Sequence, residues 1–158
     1  MKPKLYVETT VVGYLSQRIS RDVITAGHQK ITRKWWATRR HAFDLYVSEL
    51  VLDEAAAGDP DEASRRLSLM AGMSVLESSA QAEALATVLL KRKALPAKAR
   101  GDAVHLAIAA VNRMEYLLTW NYRHLINASL ALMMARVCKK HGYRCPTICT
   151  PEQLLVEE

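Results

Sequence analysis

Four oxygen-bearing side chains stand where chemistry is possible. Glu8 directly follows the apolar run Lys4-Leu5-Tyr6-Val7, Glu54 lies one turn before Gly58, Asp102 opens the apolar stretch from Ala103 to Val111, and Asn121 follows Tyr116-Leu117-Leu118-Thr119. A hard divalent cation takes oxygen ligands and is held by a few carboxylates plus waters or substrate phosphates. Three acids and one amide oxygen suit that need. No Cys or His pair near these acids has zinc-like spacing, and the chain lacks a glycine-rich phosphate loop or a nucleophile elbow. Metal-assisted hydrolysis is the chemistry left open. Taken singly, each residue also has an ordinary reading: Asp102 as a helix cap, Glu54 beside Asp53 as a solvated helix face, Asn121 as a turn residue. Glu8 is the hardest to explain that way, because glutamate is depleted in strands and here ends one. The joint placement carries the argument.

Residues so far apart in the chain meet only if the fold gathers them. Short strand-like runs at 4–7, 43–47, 74–76, 116–119 and 147–149 alternate with helical segments. A long basic helix is expected from Ser20 to about Ala42, and a shorter one from Ser48 to Ala57, stopped at Gly58. Asp59-Pro60-Asp61-Glu62 starts the next, running to about Ala71. Ser78 with Gln81 reads as a capping box before the stripe Ala82, Leu85, Ala86 and Leu89, which ends by Pro96. The helix from Gly101-Asp102 has almost no polar face and must be enclosed. A helix from Ala128 to His141 closes at Gly142, and Thr150-Pro151-Glu152-Gln153 caps a short final one. Such alternation predicts an α/β fold with three layers, its central parallel sheet of about four or five strands covered on both faces. Ligands of such sheets bind beyond the strands' carboxyl ends. Glu8 and Asn121 are predicted to meet there.

Composition narrows the class. The chain has 158 residues, of which 50% are hydrophobic and 24% charged, which fits one domain over 1–158 and excludes disordered and fibrous classes. Three cysteines in the last quarter make no disulfide framework, and the polar N-terminus lacks a signal-peptide core, so a cytoplasmic location is expected. The apolar stretches are too short for a bilayer. Twenty-two Lys and Arg against 16 Asp and Glu leave a net charge of +6, which permits a polyanionic partner.

The chain resembles the PIN domain family, and within it the VapC-like toxins of bacterial and archaeal toxin-antitoxin pairs. The marks are Tyr6-Val7-Glu8-Thr9-Thr10, Ser48-Glu49-Leu50-Val51-Leu52-Asp53-Glu54 through Gly58, Gly101-Asp102-Ala103-Val104-His105-Leu106-Ala107, and Leu118-Thr119-Trp120-Asn121. They span essentially the whole chain. The resemblance implies a PIN-like fold and an endoribonuclease dependent on Mg²⁺ or Mn²⁺, with Glu8, Glu54 and Asp102 as the metal site. Asn121 stands where the family commonly has Asp; it keeps one oxygen, loses a charge, and would be a weaker ligand or hold a water. Glu8 replaces the usual Asp with a longer arm, and Thr9 matches the small hydroxyl residue that orients a carboxylate or water. In-line attack of hydroxide on an RNA phosphodiester would release the 3′ oxygen and leave a 5′ phosphate. A homodimer, restrained by a small antitoxin protein, is implied by the same likeness.

Lys98 and Arg100, just before Asp102, are expected to meet the substrate phosphate. Lys30, Arg33, Lys34, Trp35, Trp36, Arg39 and Arg40 form a basic, aromatic patch in which Trp35 is expected in the core and the arginines in solvent. His105, one turn beyond Asp102, is expected in the core or behind the acids. Two other readings compete: a catalytically weak or inactive module that binds nucleic acid or a protein partner, and a phosphohydrolase acting on a small phosphate ester.

Overall fold

The computed structural model describes residues 1–157. Five strands, β1 (Lys4–Val7), β2 (Asp44–Ser48), β3 (Ser74–Leu76), β4 (Tyr116–Leu118) and β5 (Thr147–Cys149), form one sheet in the order β3-β2-β1-β4-β5. Every neighbouring pair is parallel, so all carboxyl ends share one edge. The order runs outward from β1 to β3 on one side and from β4 to β5 on the other. The crevice where ligands bind in such sheets therefore lies between β1 and β4.

Seven α-helices connect and cover the strands: α1 (Thr9–Ser16), α2 (Val23–Arg39), α3 (Glu49–Ala55), α4 (Pro60–Met70), α5 (Ala80–Lys91), α6 (Arg100–Val111) and α7 (Ala128–Lys140). Side-chain caps set their starts: Asp22, Ser48, Asp59 and Asn127 each accept a backbone N–H from the first turn that follows. The cap of α5 is Ser79 instead of the expected Ser78; its hydroxyl accepts from Ala82 N, while the Ser78 amide donates to Glu49. Gly142 follows the α7 cap His141 in the left-handed region at φ +84°, whereas α3 stops at Ala55 and Gly58, at φ +86°, turns the chain toward α4. The final element is a single 3-10 turn, Pro151–Leu154.

Helix α6 buries seven of its residues, His105 among them, and packs most extensively against α5. Burial on most sides explains why its sequence has no polar stripe. Leu5, Tyr6 and Val7 of β1 are fully buried, as central strands must be when both faces are covered. Trp35 lies in the core as expected, whereas its neighbour Trp36 is half-buried beneath the Arg40 guanidinium, 4.9 Å from the ring centre. No helix among the described residues is long and apolar enough to cross a membrane.

Candidate functional site

Glu8 sits where β1 gives way to α1, and its backbone amide reaches across to the Leu118 carbonyl at the end of β4. Its side chain is the N-cap of α1, so the carboxylate lies at the positive end of the helix dipole. Only 4% of the residue is exposed. A buried carboxylate requires donors, and Glu8 has three: Thr10 N to Oε2 at 3.1 Å, the Thr10 hydroxyl to Oε1 at 2.6 Å, and the Thr119 hydroxyl to Oε1 at 2.5 Å. The same two hydroxyls accept in turn from the chain after β4. Trp120 N donates to Thr10 Oγ1 and Asn121 N to Thr119 Oγ1.

Asn121 carries this network to Asp102. Its amide nitrogen donates to Asp102 Oδ1 at 3.0 Å, and its own Oδ1 accepts the His124 N–H. The His124 ring completes the arrangement, with Nδ1 at 2.8 Å from Asp102 Oδ2. A carboxylate only accepts, so Nδ1 carries the proton. Asp102 is thus held at both oxygens.

Glu54 belongs to a second network that meets the first at Thr9. Its Oε1 accepts the Thr9 hydroxyl at 2.7 Å and lies 2.6 Å from Nε2 of the buried His105. His105 Nδ1 is 2.7 Å from the Tyr6 hydroxyl, which is 2.7 Å from Ser48 Oγ. With Nε2–H donating to the carboxylate, Nδ1 must accept from Tyr6, and Tyr6 then accepts from Ser48. Burial raises the Tyr6 phenol far above its ordinary pKa, which keeps that proton in place. Burial also pushes the Glu54 carboxyl upward, but the hydrogen bond and electrostatic attraction of the His105 ring, with the Thr9 hydroxyl, outweigh it, so its pKa is lowered. Glu54 remains an anion.

The fold therefore joins Glu8, Asp102 and Asn121 in one network and sets Glu54 beside it, bonded to the residue that follows Glu8. The oxygen donors have the chemistry a hard cation prefers. As packed, each acid is satisfied by protein N–H and O–H groups. Among the described residues no three Asp, Glu, His or Cys side chains gather as a metal-holding set. Asn121 turns its nitrogen to Asp102 and accepts the His124 N–H at its oxygen. Thr9 holds Glu54, as a carboxylate-orienting hydroxyl should. Lys98 is exposed, and Arg100, just before Asp102, is exposed and paired on the surface with Glu83 at 2.8 Å. Thr10, Thr119 and His124 are the members that sequence reasoning left without a role. Hydroxyls at two adjacent strand ends, Thr10 after β1 and Thr119 after β4, were the available signal.

No family model matches the chain, and no curated protein matches its sequence. Solved structures match its fold. The Mycobacterium tuberculosis VapC20 toxin, described as cleaving the Sarcin-Ricin loop, superposes with a TM-score of 0.60 at 16% identity, covering 76% of this chain and 92% of that one. A toxin-antitoxin complex from Klebsiella pneumoniae gives 0.58 at 16% identity, covering 94% and 97%. Rickettsia felis VapBC2, solved with a DNA fragment from its promoter, gives 0.53 at 12% identity, covering 92% and 97%. The chain shares its fold with these toxin and toxin-antitoxin structures.

Proposed function

We propose that this chain is a metal-dependent endoribonuclease of the VapC type, acting in the cytoplasm on RNA phosphodiester bonds. The observation that carries the reading is the buried Glu8 carboxylate at the β1–β4 crevice, wired through Thr119 and Asn121 to Asp102 in a fold shared with VapC toxins. Glu8, Glu54 and Asp102 would hold Mg²⁺ or Mn²⁺, exchanging hydrogen bonds for the ion. When bound, the ion supplies Lewis-acid stabilisation of charge on the phosphate and an acidified water. The protein's part is orientation: Thr9 and His105 fix Glu54, Thr10 and Thr119 fix Glu8, and Asn121 with His124 fixes Asp102. Outer hydrogen bonds of this kind set ligand direction in metal sites. A small antitoxin protein as partner and a homodimer as the working form belong to the same reading.

The second reading, a PIN-fold module that binds nucleic acid or protein without cutting, is favoured by one observation. Asn121 turns its nitrogen to Asp102 and satisfies that acid without an ion. Incubating purified protein with single-stranded RNA in Mn²⁺, in Mg²⁺ and in EDTA separates the two. Fragments ending in 5′ phosphate, formed with metal and absent in EDTA, support the nuclease. RNA retained intact at every metal concentration overturns it.

A further inference from the structure

A cleft of about 580 Å³ has His124 in its wall and none of the acids in its lining. The end of α5 and the turn after it supply Lys91 and Lys93, and the loop after β4 supplies Arg123 and His124. Leu90 and Leu95 add apolar wall between the charges. No acidic residue lines it among the described residues. Lys91, Lys93 and Arg123 are all exposed, so their charges face solvent and an incoming strand.

Two features make this more than scattered surface charge. Lys93 is held at φ +59°, a left-handed conformation uncommon for a residue other than glycine, in a turn closed by Lys93 N to Leu90 O and Ala94 N to Leu89 O. The turn projects its side chain from a fixed backbone at the cleft's rim. His124, at the inner wall, is the residue bonded to Asp102 at 2.8 Å. His124 thus joins the acid network to the wall of the cleft. Cations on the rim meet phosphates, and the apolar wall accepts ribose and base faces.

We infer that this cleft is the subsite for nucleotides flanking the scissile bond, gripping the phosphodiester backbone of single-stranded RNA through Lys91, Lys93 and Arg123. The inference rests on the nuclease reading for its substrate class. It assigns the grip to residues distant from Asp102 in sequence and not to the adjacent Arg100, which Glu83 engages.

The test is fluorescence anisotropy of the full chain in EDTA, where metal-dependent cutting is blocked, with a labelled long oligoribonucleotide and with a labelled dinucleotide. The Lys93→Gln/Arg123→Gln variant is expected to bind the long strand about tenfold more weakly or worse, with a salt slope reduced by about 0.7 for each cation removed. Its dinucleotide affinity is expected to fall far less, since a single phosphate engages at most one of these cations. Lys139→Gln, at the opposite end of α7, serves as the charge control, and unchanged melting temperatures confirm folding. Unchanged affinity for the long strand, equal losses on both ligands, an equal loss in Lys139→Gln, or no binding by the wild-type chain would each overturn the subsite. If the expected pattern holds while no metal supports cleavage, the nuclease reading falls and the cleft stands as a surface that grips single-stranded RNA.

Discussion

Asn121 meets Asp102 through its amide nitrogen, Nδ2 to Oδ1 at 3.0 Å, and spends its oxygen on the His124 backbone. An aspartate at this position would oppose Asp102 with a like charge where the amide now donates.

Asn121→Asp should therefore lower stability without metal and strengthen the response to it. Losing a hydrogen bond to a charged acceptor costs about 1–3 kcal/mol. For a chain of this size that is a fall of about 2–4 °C in Tm per kcal/mol. Melting curves in EDTA and in Mn²⁺ are the measurement: the variant should melt lower in EDTA and recover more with Mn²⁺ than wild type. Equal Mn²⁺ responses would show that position 121 does not govern ion binding.

Asp102→Asn keeps the shape and removes the charge. Loss of an outer hydrogen bond around a metal typically costs 10- to 100-fold, so loss of a proposed ligand charge should reduce Mn²⁺-dependent RNA cleavage by about 100-fold or more. Cleavage rates with matched protein folding, checked by circular dichroism, give the answer. A variant that cuts at the wild-type rate would remove Asp102 from the mechanism.

Tyr6→Phe deletes the hydroxyl that bonds both Ser48 and His105 inside the core. The stranded His105 nitrogen should cost about 1–3 kcal/mol in urea unfolding. Combined with Ser48→Ala, the loss should be less than additive, because both substitutions break one shared bond. Strict additivity would mean that the chain of hydrogen bonds is not a unit.

Asp22 gives a pH signature away from the acids. The Thr25 amide and hydroxyl, both at 2.9 Å from its Oδ2, pull its carboxyl below the ordinary range. A depressed carboxylate contributes stability that is complete above the unfolded pKa of about 3.9 and is lost as pH falls through the lower folded value. Urea midpoints of wild type and Asp22→Asn should therefore differ by a constant amount near neutral pH and converge in acid. A difference that is flat with pH would sink the assignment.

The sequence exposed the sheet because its signals are local. Tyr116-Leu117-Leu118 is apolar throughout since both faces of β4 are covered, and Glu8 is conspicuous because an acid ending a strand needs a reason. The Ser78 expectation missed by one residue since both serines precede the helix and only the backbone decides which hydroxyl meets Ala82 N. Lys98 and Arg100 stand near Asp102 along the chain, but only the fold shows that Arg100 pairs with Glu83 across the α5–α6 contact. The role of His124 depended on a loop folding back over α6, and nothing in the local spacing encodes that return.

The line from Ser48 through Tyr6 and His105 to Glu54 threads β2, β1, α6 and α3. A change at Tyr6 or Ser48 in the middle of the molecule is consequently felt at Glu54, on the edge where the strands end. Lys93 and Arg123, by contrast, stand on an exposed turn and loop, where side chains can change and the interior stays intact.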